Sequence, residues 1–138
     1  MKHVRMMLAM LPAALLLAGC MSQGPTRAER LALYQAHAGE PVRKIHYYSP
    51  IGWEELDDDH IVLTMRPTEA YLLRLSGPCL DFAGGSPALA ISSTAGYVSS
   101  GFDRVSVGGS NLSCRIEEIR PIDNKGLRAA RDAQAPGA

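Results

Sequence analysis

The chain opens with a leader that ends in a cysteine. Met1 to Cys20 reads MKHVRMMLAMLPAALLLAGC, with Lys2 and Arg5 ahead of a thirteen-residue apolar run from Met6 to Ala18. A membrane-spanning helix needs about 20 apolar residues, whereas a secretory leader needs only 7–15. The pattern therefore predicts an exported chain that loses its first residues and folds from the rest in an oxidising compartment. Without residues 1–19 the chain keeps 119 of its 138 residues, enough for one domain.

The run Leu17-Ala18-Gly19-Cys20 resembles the signal of bacterial lipoproteins. That resemblance implies cleavage before Cys20, diacylglycerol on its thiol and an acyl group on its new amine. One acyl chain binds a bilayer marginally, whereas two or three hold a protein there. Met21 follows the cysteine in place of the Asp that keeps enteric lipoproteins in the inner membrane. The expected location is therefore the periplasmic side of the outer membrane. The expected organisation is a signal peptide over 1–19, a lipidated cysteine and tether over 20–25, a β-rich domain over 26–123, and a C-terminal helix with a disordered tail over 124–138.

Three cysteines make an odd count, and lipidation of Cys20 leaves Cys79 and Cys114. They are too far apart in sequence for a C-x-x-C redox pair, and export favours a structural disulfide. Closing that 35-residue loop contributes about 3.8 kcal/mol in the chain-entropy account. Loss of Lys2 and Arg5 leaves twelve cations against fourteen carboxylates, a formal −2. No basic excess calls for nucleic acid.

Thr26-Arg27-Ala28-Glu29 fits a capping box, and Leu31, Tyr34 and Ala38 form one apolar stripe. Gly39 and Pro41 then predict a helix of about three turns. From Val42 the period falls to two. Strands are expected around 43–48, 53–56, 61–65, 70–75, 88–94, 97–99, 102–107 and 114–122, some of them continuous with a neighbour. Ile116 and Ile119 are three apart, so a bulge is expected between them. Asp123 is placed to cap a last helix from Asn124 to about Asp132. No helix separates the strands, so the expected fold is mainly β (α+β). It is a small antiparallel barrel or sandwich of six to seven strands flanked by an N-terminal and a C-terminal helix.

Chemistry-bearing clusters are few. Asp57-Asp58-Asp59-His60 can offer ligands to a cation, but it lacks the glycine and distal glutamate of an EF-hand and also reads as a plain hairpin turn. His37 and His46 stand at no ligand-like spacing from it. Tyr47, Tyr48, Trp53 and Tyr71 either line a concave binding face or pack core and edges. Asp103-Arg104 and Glu117-Glu118 are expected to pair across neighbouring strands. No serine stands in a G-x-S-x-G elbow, and Gly108-Gly109-Ser110 lacks the lysine of a phosphate loop.

The lipobox, LALYQAHAGEPV, Trp53, RPTEAYLLRLSGPC, FDRV and CRIEEIRPID together resemble a family of small, uncharacterised proteobacterial lipoproteins over about residues 20–123. The resemblance implies an envelope location and the disulfide, and it carries no catalytic residues. The expectation is a non-enzymatic structural or protein-interaction module without a cofactor, held to the membrane by its lipid and contacting another envelope protein. The alternative is a periplasmic module for a small ligand or a cation.

Overall fold

The computed structural model describes residues 24–78, 80, 88–108, 111–135 and 137. Helix α1 (Arg27–Ala36) begins where the capping box places it: Thr26 accepts from the Glu29 N–H, and the Glu29 carboxylate accepts from the Thr26 N–H at 2.7 Å. It ends before Ala38, which leaves the helix to bridge Ile122. The stripe is thus shorter than its apolar spacing suggested, because the Ala38–Gly39 backbone joins the last strand instead. The Gly39 N–H donates to the Pro121 carbonyl at 2.8 Å.

Eight short strands follow: β1 (Lys44–His46), β2 (Gly52–Glu55), β3 (His60–Arg66), β4 (Glu69–Leu75), β5 (Leu89–Ile91), β6 (Tyr97–Ser99), β7 (Arg104–Val107) and β8 (Ser113–Pro121). Six of them form one antiparallel, nearly closed sheet in the order β2-β3-β4-β8-β7-β5. The other two, β1 and β6, make a small second sheet. The fold is mainly β, as expected, with a helix at each end.

Alternation explains the layers. Ile61, Leu63 and Met65 of β3 and Leu73 and Leu75 of β4 face an inner core with Val105, Val107, Ile116 and Ile119. Ile45 of β1 and Val98 of β6 complete that core, so the small sheet closes over the inner face of the large one. The small sheet is pinned along β8, where Val42 N–H donates to the Ile119 carbonyl and Gly101 N–H to that of Ile116. The opposite parity, Val62 of β3 and Ala70 and Leu72 of β4, forms an outer core with Tyr34, Leu56, Ile122 and Leu127. Both helices therefore lie on the outer face. Each fully buried aliphatic side chain contributes about 1.5–3 kcal/mol, and two cores explain how a small domain holds so many short strands.

The bulge falls within the expected interval. Arg74 stands opposite Glu118 and Leu75 opposite Ile116, which leaves Glu117 as the extra residue and turns both Ile116 and Ile119 inward. Helix α2 (Asn124–Gln134) is capped by Asp123, whose carboxylate accepts from the Gly126 N–H at 3.0 Å. It runs two residues past Asp132, so Ala133 and Gln134 are helical where a tail was expected. Gly126 is required by close approach: a Cβ there would meet the Asp123 carboxylate at 2.4 Å and His37 Nδ1 at 3.0 Å. Among the described residues no helix is long and apolar enough to cross a membrane.

Candidate functional site

The β2–β3 turn gathers the densest polar cluster. Asp57 Oδ1 accepts from the backbone N–H groups of Asp59 and His60, at 3.1 and 2.7 Å, which folds the turn back on itself. His60 opens β3 with its side chain only 13% exposed, and its Nδ1 lies 2.9 Å from Asp57 Oδ1 and 2.7 Å from Asp59 Oδ1. Burial pushes the Asp57 carboxyl up, but the Asp59 backbone N–H and the His60 ring outweigh it and hold the carboxyl below its ordinary value. Asp57, Asp59 and His60 each offer one ligand atom, all within 4.8 Å of one another. Asp58 stands apart, 58% exposed, and pairs with Arg27 at 3.4 Å.

His60 also borders a cleft of about 270 Å³ on the outer face, lined by Gln35, Leu72, Arg74, Glu118 and Arg120. Its charges are largely satisfied within the fold. Arg74 pairs with Glu117, and Arg120 donates to Glu118 at 2.6 Å. The sequence singled out the turn, but the cleft depends on α1 lying over β4 and β8, which no local pattern gives.

The aromatic residues are placed on the inner core. Trp53, Leu63 and Tyr71 form one cross-strand row over β2, β3 and β4. Tyr47, Tyr48, Trp53 and Tyr71 are all half-buried against that core. Glu69 ties two of them, accepting from Tyr71 at 2.9 Å and from Tyr48, while Arg66 donates to Tyr48 at 2.9 Å. Tyr48 holds the Glu69 carboxyl below its ordinary value, against partial burial and with help from Tyr71. Burial, with Glu69 beside it, pushes the Tyr71 hydroxyl up to about 12.

The expected pairing of Asp103 and Arg104 with the glutamates is corrected. Asp103 is 1% exposed and points inward. Its Oδ1 accepts from the Ser92 hydroxyl and its Oδ2 from the Ser99 N–H, both at 2.7 Å. Arg104 stands opposite Arg115 and donates to Ser113 Oγ and the Ser113 carbonyl. Glu117 takes Arg74 and Glu118 takes Arg120. The signal for Asp103 was available: it shares parity with Val105 and Val107, the inward residues of β7.

Cys114 sits half-buried on β8, with its sulfur 3.5 Å from the Gly77 carbonyl oxygen. Cys79 and Cys20 lie outside the described residues, as does the leader.

The chain matches the family of unknown function DUF6491 over residues 2–138. It belongs to that family. No curated protein and no solved structure matches this DUF6491 protein.

Proposed function

We propose that this DUF6491 protein is an envelope lipoprotein, acylated at Cys20 and held on the periplasmic side of the outer membrane, whose β-rich domain is a non-enzymatic structural or protein-interaction module. The leader ending in Leu17-Ala18-Gly19-Cys20 carries the proposal. Two further facts support it. The family match starts at residue 2, so the leader and Cys20 fall within it. Helix α1 is capped at Thr26, and six residues from Cys20 reach at most about 20 Å, which holds α1 close to the lipid surface. A Cys79–Cys114 disulfide fits the same compartment, and the contact between the Cys114 sulfur and Gly77 brings β8 within two residues of Cys79. Cys20→Ser, or globomycin, is expected to leave the precursor uncut and to release the domain from the membrane fraction. Normal maturation of the Cys20→Ser chain would refute the anchor.

A second proposal is a divalent cation held by Asp57, Asp59 and His60, favoured by the convergence of their ligand atoms. One imidazole and two carboxylates suit Mn²⁺ or Zn²⁺ better than a softer ion. Bound ion stabilises the fold by RT ln(1 + [L]/Kd). A rise in Tm with Mn²⁺ or Zn²⁺ is expected to vanish in Asp57→Asn/Asp59→Asn, and a rise that persists in that variant would rule this turn out.

A further inference from the structure

Two arginines face each other on the outside of the large sheet. Arg104 of β7 stands directly opposite Arg115 of β8. The Arg104 N–H and carbonyl are turned to Ser92, beside β5, so the two arginines form a pair without mutual backbone bonds. Such pairs bring Cα atoms to about 4.5 Å, the closest cross-strand spacing, where like charges destabilise a sheet. Both residues are exposed. Among the described residues Arg104 has no carboxylate partner, and Arg115 reaches only Glu117, at 3.9 Å, which Arg74 already engages.

An exposed aromatic residue precedes this pair in the chain. Phe102 is 72% exposed, the most exposed large hydrophobic among the described residues. It stands in the turn that leads into β7, two residues before Arg104, with the buried Asp103 between them. The turn that carries it is firmly held. Gly101 takes a φ of +77°, its N–H donates to the Ile116 carbonyl at 2.7 Å, and the Ile116 N–H donates to the Asp103 carbonyl at 2.8 Å. The Asp103 carboxylate fixes Ser99 and Ser92 on the inner side. A fixed, exposed aromatic residue close in the chain to Arg104, which faces an Arg115 that shares one glutamate with Arg74 among the described residues, has the make-up of an interface anchor, and folding gains nothing from exposing it.

We propose that the β7–β8 face bearing Phe102, Arg104 and Arg115 docks an acidic segment of another envelope protein, with Phe102 as its apolar anchor. The proposal rests on the reading of the domain as an interaction module and names the surface it uses. Positive charge selects an acidic partner, and the fixed turn lowers the ordering entropy lost on binding.

The test is photocrosslinking in cells of the full, lipidated chain with benzoylphenylalanine at position 102, and at the exposed Ile51 as the control position. The expected result is one dominant protein adduct from position 102, absent from position 51, whose crosslinked peptide is rich in Asp and Glu. Arg115→Glu places a carboxylate opposite Arg104 and gives up the contact to Glu117, two exposed effects of opposite sign, so it is expected to keep the fold while adduct yield falls roughly tenfold. Arg115→Gln, which removes the repulsion without reversing charge, is expected to keep the fold and lose part of the yield. An adduct to phospholipid or to a second copy of this chain, equal yield from position 51, undiminished yield in Arg115→Glu, or no adduct would overturn the proposal. Lipidation at Cys20 is read on the same samples by mass. A lipidated chain without adduct sinks the docking face alone, and an unlipidated chain that crosslinks sinks the anchor alone.

Discussion

Asp103→Ala should damage this fold more than any exposed substitution. The carboxylate is buried beside the inner core and serves two donors, the Ser92 hydroxyl and the Ser99 N–H. Hydrogen bonds to a charged group contribute about 1.5–3 kcal/mol, and each donor left buried without an acceptor costs about 1–3 kcal/mol. The Ser92 hydroxyl can rotate towards another acceptor, while the Ser99 N–H is fixed by the backbone of β6. The expected loss for Asp103→Ala is therefore about 3 kcal/mol, a large share of a typical 5–15 kcal/mol margin. Asp103→Asn should lose only about 1 kcal/mol. Its amide oxygen can keep the Ser99 N–H, and its amide nitrogen can donate to Ser92 Oγ, which already accepts from the Arg104 N–H. Urea unfolding of residues 21–138, followed by tryptophan emission and far-UV dichroism together, gives both values from the midpoints at constant m. A loss under about 1 kcal/mol for Asp103→Ala, or equal losses for Ala and Asn, would refute the assignment of these bonds as a fixed clamp.

Alkaline pH gives an independent check on two tyrosines. Burial, with Glu54 beside it, pushes the Tyr34 hydroxyl up to about 12, and Tyr71 is raised to about 12 as well. Folded values above the unfolded one near 10 mean that this stability is intact below pH 10 and is lost as pH rises towards 12. Tyr34→Phe/Tyr71→Phe should flatten that decline, and the 295 nm titration of the native protein should show two phenols ionising after the others; a single common transition would contradict the assigned partners. Alkylation of protein isolated without reductant should find neither Cys79 nor Cys114 reactive, and reduction should cost up to about 3.8 kcal/mol in urea unfolding. Two freely alkylated cysteines would remove the disulfide from the account. Thr26→Ala should cost about 1 kcal/mol by removing the cap of α1, and an unchanged midpoint would show that packing of Tyr34 and Leu31 alone holds that helix.

Most of the strands could be read from the sequence because their side chains alternate and their turns are marked by Pro and Gly. The bulge at Glu117 was legible for the same reason: only an extra residue lets Ile116 and Ile119 face one core. The helix caps at Thr26 and Asp123 were legible because capping is a local hydrogen-bond pattern. What escaped local reading is non-local. The end of α1 is decided by the bridge from Ala38 to Ile122, more than eighty residues away in sequence. The partners of Asp103 lie on the segments around β5 and β6, so its charge suggested a surface ion pair although its parity with Val105 pointed inward. The Arg104–Arg115 opposition depends on the β7–β8 register, and a register is invisible until the two strands are paired. The Asp57–His60 turn was found by composition, but separating Asp58 from its neighbours needed the placement of Arg27.

The central claim is the anchor at Cys20, and the mass of the mature N-terminal peptide tests it most directly. Protein extracted from membranes and digested with trypsin should yield the peptide from Cys20 to Arg27 carrying diacylglycerol and an amide-linked acyl chain. A peptide that begins elsewhere, or one that begins at Cys20 with a free thiol, would contradict the account.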